Sequence, residues 1–391
     1  MLNFNTLRRS ALRLSSVQLS SVRIAIYISI LASGVSTNSI SAAEPGSSSI
    51  RLSQFNLLQY RNADGEIHDV DKPEHWALRK REIIQAVQQV MGKMPGQDRR
   101  VSLAIEIDEE VDAGSYIRKL ISFQSEKGSR TPAYLCIPKS AISSKTKVPA
   151  VLCLHPTDNT VGHKVVVGLG GREGRAYAAE LAERGYVTIA PAYPHLANYW
   201  PNLGKLGYSS GSMKAIWDNT RALDLLDSLE YVDNSKGYGA IGHSLGGHNA
   251  IYTAALEPRI TVVASSCGFD AFLDYYDGAQ RNWFFGKGWC QIRYMPRMSN
   301  YRDRLNMIPF DFPELIGVLA PRPLFVNAPL HDSNFRWKSV DKCAEAAGPI
   351  YKLLDAKDNL IIKHPDSNHN FPAEMREEAY LTIDSVLKTG E

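Results

Sequence analysis

The feature that most constrains the fold of this chain is the pattern G-x-S-x-G at residues 242–246, which read G-H-S-L-G. Residues 236–241 before it have the composition of a short buried strand, and residues 247–256 after it place apolar side chains at helical spacing. A serine between such elements sits at a sharp turn and needs small neighbours, which the flanking glycines provide. The pattern predicts a strand, a turn and a helix with Ser244 presented at the turn.

Predicted strands and helices alternate through residues 101–391, which indicates an α/β domain with a mostly parallel twisted sheet and helices on both faces. The predicted strands are 101–109, 116–124, 131–137, 150–154, 187–190, 236–241, 260–264, 323–326 and 360–362, and the predicted helices are 73–94, 174–184, 212–230, 247–256 and 374–387. A turn at residues 126–128 predicts a hairpin. Two long insertions, 191–211 and 268–320, follow strand ends, where open α/β sheets bind ligands.

The first 43 residues have the organisation of a secretory signal peptide. A basic leader precedes an apolar run at residues 24–35, and small residues at 41–43 predict cleavage after Ala43. The apolar run is too short to span a bilayer comfortably, so a membrane anchor is disfavoured. We expect a secreted or periplasmic protein without a membrane anchor after cleavage, in which residues 44–100 form a tether and a helix.

Charge and cysteine content exclude several function classes. The 44 basic and 41 acidic residues nearly balance, so composition gives no reason to expect a nucleic-acid partner. Of the five cysteines, Cys136 and Cys153 lie in predicted strands and are expected to be buried thiols. Cys290 and Cys343 could pair in an oxidising compartment, but the sequence leaves all pairings open, those of Cys267 included. No C-x-x-C motif occurs, and we expect neither metal nor cofactor.

A serine hydroxyl needs a base to accept its proton, and that base is usually a histidine oriented by a carboxylate. On sheets that present a serine in this way, the chain order is serine, acid, histidine. Asp332 follows the predicted strand 323–326, and His369 follows the predicted strand 360–362 in a loop rich in turn-forming residues. The order and placement predict a catalytic triad of Ser244, Asp332 and His369.

Other acids and bases remain as alternatives. Asp270 follows the strand after the elbow helix and is the rival acid. His364 lies so near the last predicted strand that the sheet could hold its side chain, and His331 precedes Asp332 and so breaks the expected order. We therefore prefer His369 as the base and Asp332 as its partner.

Hydrolysis of an ester also needs an oxyanion hole, usually built from two backbone N–H groups. One is expected from Leu245, immediately after the serine. The other is expected from the loop after strand 150–154, where Pro156 has no N–H, so Thr157 is the predicted donor and Asp158 the next. His155 either positions that loop by hydrogen bonding or is an ordinary polar residue at a strand end.

These motifs carry a family likeness. Residues 242–247 (GHSLGG), 155–157 (HPT), 320–323 (APRP) and 369–372 (HNFP) resemble the α/β-hydrolase superfamily, in its dienelactone-hydrolase-like and acetyl-xylan-esterase-like branch. The likeness spans residues 116–387 and implies a serine carboxylic-ester hydrolase. Dienelactone hydrolases proper use a cysteine as nucleophile, and glucuronoyl esterases carry an arginine just after the serine, where this chain has leucine. Neither of those two activities is therefore predicted.

Export and the aromatic insertions indicate the substrate. An exported serine hydrolase meets polymers and their fragments, so we expect acyl esters of polysaccharides or related small esters. Insertion 268–320 is expected to form a cap in which Trp283 or Trp289 contacts the substrate. A peptidase of the prolyl-oligopeptidase type is an alternative, although residues 44–100 are too few for its propeller. A non-catalytic binding protein on a hydrolase scaffold is another, against which the complete triad counts.

Overall fold

The computed structural model describes residues 51–144 and 146–388. The predicted signal peptide and its cleavage site lie outside these residues. The strands are β1 Gln59–Arg61, β2 Ile67–Asp69, β3 Glu106–Asp112, β4 Tyr116–Glu126, β5 Ser129–Pro138, β6 Val148–Leu154, β7 Val187–Pro191, β8 Val232–Asp233, β9 Tyr238–His243, β10 Ile260–Ser266, β11 Leu324–Asn327 and β12 Leu360–Lys363. The α-helices are α1 Pro73–Met91, α2 Lys139–Ser143, α3 Tyr177–Glu183, α4 Gly211–Asp227, α5 Leu245–Leu256, α6 Phe312–Leu319, α7 Trp337–Leu353 and α8 Ala373–Leu387.

One large sheet organises the described chain, with the strand order β12-β11-β10-β9-β6-β7-β5-β4-β3. Neighbouring strands from β12 to β7 are parallel, and β5, β4 and β3 continue the sheet in antiparallel pairing. Parallel strands end at the same edge, so the loops after β6, β9, β10, β11 and β12 meet there. The predicted mostly parallel α/β sheet is confirmed, and so is the hairpin, which joins β4 to β5.

Helices cover both faces of this sheet because its central strands are apolar on both. In β6, Leu152 and Leu154 contribute to the hydrophobic core that also contains α1, α4, α5, α6 and α7. The alternate residues Val151 and Cys153 contribute to a second core with α3 and α8. An unbroken apolar strand is typical of a sheet buried in this way. No helix in residues 51–144 and 146–388 is long and apolar enough to cross a membrane.

Several elements differ from the sequence prediction. Residues 101–105 are irregular, and β3 begins only at Glu106. The hairpin β1–β2, helix α6 and helix α7 were not predicted. Helix α7 contains Gly348 and Pro349, residues that normally argue against a helix interior. It forms nevertheless because its apolar face, including Val340 and Ile350, is buried against the sheet core.

The two tryptophans predicted to contact substrate lie instead inside the 268–320 insertion. Trp283 is 0% exposed and Trp289 is 3% exposed. The Phe272 ring contacts both, with centroid distances of 6.2 Å and 5.6 Å respectively, and Phe312 packs on Trp289. Their surface is used in packing this insertion, so the structure does not support a substrate contact for either. Burial is the usual result when a surface segment of this length must build a core of its own.

Candidate active site

Ser244 lies at the turn between β9 and α5 with φ 54° and ψ −119°, a conformation that side-chain-bearing residues rarely adopt. Its N–H donates to the carbonyl of Ser266 at 2.7 Å, which holds the turn against the end of β10. A Cβ atom on Gly242 would overlap the Gly246 carbonyl, and one on Gly246 would overlap the carbonyl oxygen of Leu154. The glycines of the motif are therefore required by the close approach of β9, α5 and β6.

His369 and Asp332 meet at the same edge of the sheet. The His369 Nδ1 lies 2.8 Å from Asp332 Oδ2 and 2.9 Å from Asp332 Oδ1. The Asp332 side chain is 1% exposed and that of His369 is 22% exposed. A proton on Nδ1 is donated to the carboxylate, so Nε2 is left as the proton acceptor that a nearby hydroxyl needs.

Backbone donors fix the Asp332 carboxylate. Its Oδ1 accepts hydrogen bonds from the N–H groups of Asn334 at 2.7 Å and Phe335 at 3.1 Å. The Phe335 ring packs against the His369 ring, with centroids 6.1 Å apart. The carboxylate is thus oriented by the turn that follows it, and one face of the imidazole is confined.

The alternative acid, Asp270, and the alternative bases, His364 and His331, have other hydrogen-bond partners. Asp270 is fully buried, and its only described hydrogen bond is accepted from the Arg336 N–H at 3.4 Å. Burial raises the pKa of Asp270 well above its usual value. His364 is held between the Ala328 carbonyl and Asp341, and the exposed His331 pairs with Asp366.

His243, which sequence reasoning did not assign, packs directly on His369. Their rings meet edge to face with centroids 4.9 Å apart, and His243 Nδ1 lies 2.9 Å from Ser266 Oγ. Burial, with the charge of Arg175 nearby, holds the pKa of His243 well below its usual value. A neutral imidazole therefore packs against His369 without adding a competing charge. Its position beside the nucleophile in the sequence was the only available signal.

The loop after β6 forms another wall of the site. His155 Nε2 accepts the N–H of Tyr193 at 3.0 Å, so its Nδ1 carries the proton and donates to the Pro156 carbonyl at 2.8 Å. Burial lowers the pKa of His155 to about 4, which keeps this bridge neutral. The Thr157 hydroxyl contacts the Tyr294 hydroxyl at 3.0 Å. His155 thus positions the loop, as one of the two sequence interpretations expected.

These elements enclose a polar cavity of about 400 Å³. The cavity is lined by Pro156, Thr157, Asp158, Asn159, Thr160, Val165, Arg172, Arg175, His243, Ser244 and His369. The structure therefore brings together the predicted Ser244, His369 and Thr157, with Asp332 directly behind His369. Leu245 is the first residue of α5, where a backbone N–H has no partner within the helix.

A second, more apolar groove of about 530 Å³ adjoins this cavity, since Asn159 lines both. Its wall includes Trp200 and Phe285, which are 66% and 69% exposed. Arg293 also lines the groove and donates to the Asn159 side chain at 2.9 Å. The exposed aromatic surface near the cavity therefore comes from both insertions, but from residues other than Trp283 and Trp289.

Cys267 brings a thiol close to the histidine–aspartate pair. Its Sγ, an Asp332 oxygen and a His369 nitrogen all lie within 4.8 Å of one another, a set that could hold a metal ion. Burial, and then the charge of Asp332, raises the pKa of Cys267 well above its usual value, which opposes the thiolate that a metal needs. All five cysteines are buried free thiols, so Cys290 and Cys343 do not pair.

Solved structures share this architecture. A glucuronoyl esterase from Solibacter usitatus superposes with a TM-score of 0.64 and 19% identity, covering 86% of this chain and 98% of that chain. A putative acetyl xylan esterase from Bacteroides fragilis gives a TM-score of 0.55 and 16% identity, covering 75% of this chain and 76% of that one. The chain therefore shares the fold of these α/β-hydrolase esterases.

Sequence relatives of this chain agree with its structural neighbours. A family model described as glucuronyl esterase of fungi matches residues 198–355. The 4-O-methyl-glucuronoyl methylesterase 1 of Sodiomyces alcalophilus is 28% identical over 43% of this chain, and the match spans only 36% of that enzyme. The putative hydrolase YtaP of Bacillus subtilis is 24% identical, with 66% of this chain and 84% of that protein covered.

The comparisons confirm the resemblance to α/β-hydrolase esterases that the sequence motifs indicated. Several of the similar proteins are glucuronoyl esterases, an activity that the sequence analysis did not predict because Leu245 follows the serine. This chain therefore combines similarity to that group with a leucine at the position after Ser244.

Proposed function

We propose that this α/β-hydrolase is an exported enzyme that cleaves carboxylic esters of carbohydrates through Ser244, His369 and Asp332. The observation that carries the proposal is that His369, which is hydrogen-bonded to Asp332, lines the same polar cavity as the strained Ser244. A non-catalytic binding protein would not need a serine with a strained backbone in the same cavity as an oriented imidazole.

The reaction would proceed in two balanced steps. His369 Nε2 takes the Ser244 proton as Oγ attacks the ester carbonyl, and the resulting imidazolium gives that proton to the departing alcohol. His369 then takes a proton from a water molecule as that water attacks the acyl-enzyme carbonyl, and returns it to Ser244 Oγ as the bond to the acyl group breaks and the acid leaves. Asp332 accepts the hydrogen bond from Nδ1–H throughout and stabilises the imidazolium.

Two backbone N–H groups are proposed for the oxyanion. Leu245 offers the first N–H of α5, at the positive end of that helix. Thr157 offers a second from the loop after β6, which His155 and Tyr294 hold in place. Preorganised donors of this kind need no rearrangement when charge develops on the carbonyl oxygen.

A carbohydrate ester suits the walls of the site. The cavity around Ser244 presents hydroxyl, amide and guanidinium groups that can hydrogen-bond sugar hydroxyls. The adjoining groove adds the exposed faces of Trp200 and Phe285, on which the apolar face of a sugar ring can stack. The similar proteins described above, which are glucuronoyl esterases and methylesterases, support the same substrate class.

A panel of esters tests this proposal. The mature chain is expected to hydrolyse at least one carbohydrate ester, among acetylated xylan, feruloylated xylan and methyl glucuronate, faster than a peptide amide with the same acyl group. Product release is followed by titration of the acid formed, with Ser244→Ala as the blank. Hydrolysis of the amide alone would contradict the proposal.

A further inference from the structure

The glycine-rich segment 168–174, called here the glycine loop, carries charge into the catalytic cavity. Gly168, Gly170, Gly171 and Gly174 all have positive φ. A Cβ atom on Gly171 would overlap Val165, and one on Gly174 would lie 3.2 Å from the Phe371 carbonyl. Close packing therefore fixes the glycine loop at Gly171, against Val165, and at Gly174, against the segment that carries His369. Residues 170–173 between and beside these points are exposed.

The two arginines of this region have different surroundings. Arg175 is 3% exposed and donates to the Asn370 side chain at 2.8 Å and to the His369 carbonyl at 3.4 Å. Its hydrogen bonds therefore hold the histidine loop. Arg172 is exposed, lines the cavity beside Ser244, and forms no hydrogen bond or ion pair with the residues that the structure describes.

The acid on the cavity wall, Asp158, offsets only one of these two positive charges. Asp158 Oδ1 accepts the backbone N–H groups of Thr160 at 2.8 Å and Val161 at 2.6 Å. Burial alone would raise the pKa of Asp158, but these hydrogen bonds outweigh it and place that pKa below its usual value. With Arg172 and Arg175 on the same wall, the cavity keeps an excess of positive charge.

We propose that Arg172 selects esters that carry a free carboxylate close to the scissile carbonyl. Its guanidinium matches a carboxylate with two parallel hydrogen bonds, and Thr157, Asn159 and Thr160 offer further donors on the same wall. This proposal rests on the proposed function and names a substrate class within it, esters that also carry a free carboxylate. An example is an acidic sugar that is acylated on a hydroxyl group and keeps its own carboxylate.

A charged and a neutral ester of the same shape test this selection. 4-Acetoxybenzoate carries a carboxylate, and 4-acetoxybenzamide is its neutral counterpart. In Arg172→Gln, kcat/KM for the benzoate is expected to fall about 10- to 100-fold, mainly through KM, while that for the amide changes less than about threefold. Arg172→Lys should give a kcat/KM for the benzoate between those of the parent and Arg172→Gln, because lysine keeps the charge but cannot form the two parallel hydrogen bonds.

Control measurements separate this effect from general electrostatics. Arg304 is exposed, does not line the cavity, and provides a matched control; Arg304→Gln should leave the benzoate-to-amide ratio at the parent value. Added NaCl should lower the ratio in the parent and leave it unchanged in Arg172→Gln. A ratio in Arg172→Gln equal to that of the parent would overturn the proposal.

Failure of the proposed function would look different. In that case the parent would hydrolyse neither ester, and calorimetric titration with 4-hydroxybenzoate would test the anion site by itself. Binding to the parent that is weakened in Arg172→Gln but kept in Arg304→Gln would support the site. Equal binding by all of these proteins, or none, would reject it.

Discussion

Replacing Ser244 by alanine is expected to reduce ester turnover to below about a thousandth of the parent rate, because it removes the hydroxyl that is proposed to form the acyl-enzyme. The fold should survive, since alanine fills the same turn and the backbone hydrogen bond from residue 244 to Ser266 does not use the hydroxyl. Initial rates on the ester that the parent hydrolyses best, together with the thermal unfolding midpoint, measure both expectations.

Ser367→Ala provides the matched control. Ser367 lies on the loop that carries His369, and its hydroxyl contacts only the Asn368 carbonyl among described residues, at 3.3 Å. This variant should keep nearly full activity. Turnover by Ser244→Ala above about a thousandth of the parent rate would show that another residue is the nucleophile.

Replacing Asp332 by asparagine is expected to lower kcat about 10⁴-fold, as loss of the orienting carboxylate does in serine hydrolases with this arrangement. Asparagine keeps the shape but cannot stabilise the imidazolium, and its amide group can turn the histidine into the wrong tautomer. The hydrogen bonds from Asn334 and Phe335 to the side-chain oxygen can remain, so the unfolding midpoint should change little.

Asp270→Asn is the matched comparison, and its effect on kcat should be less than about tenfold because no hydrogen bond joins Asp270 to His369 in the structure. The raised pKa of Asp270 indicates a carboxyl group that burial favours in its neutral form. A neutral amide should therefore be tolerated there. A larger loss of kcat in Asp270→Asn than in Asp332→Asn would reverse the assignment of the acid.

Local patterns predicted the elements that hold the site. The apolar run of β6 and the motif around Ser244 specify a buried strand and a strand–turn–helix, because few other structures satisfy them. Helix α7 was not predicted because Gly348 and Pro349 disfavour a helix locally, whatever the spacing of its apolar residues. In the folded chain, burial of those apolar residues against the sheet is sufficient to form the helix. Tertiary packing, which a single sequence does not display, decides such cases.

The candidate site was predictable where chain order carries information. Candidates for the acid and the histidine were sought after successive predicted strands, in the chain order serine, acid, histidine. Asp332 and His369 could be predicted in this way although the sequence does not give the distance between them. The cavity positions of Arg172 and His243 depend on how separate loops pack, which sequence spacing does not encode. The same holds for Trp283, whose burial reflects the aromatic core of its insertion.

Leu245 stands where the resemblance to glucuronoyl esterases would imply an arginine. Its side chain is buried with Tyr193, Leu196 and Ala215, so only its backbone N–H is proposed as a donor to the oxyanion. Positive charge enters the cavity instead from the glycine loop, through Arg172. Substrate preference is therefore expected to depend on that loop.

The central claim, that Ser244 is a nucleophile activated by His369 and Asp332, is tested most directly by covalent trapping. The mature chain is treated with a fluorophosphonate, and intact mass and peptide mass spectra locate the adduct. The account predicts one adduct, on the peptide that contains Ser244, formed much more slowly in Asp332→Asn and prevented by excess ester substrate. An unmodified parent protein, or an adduct on a different residue, would contradict it.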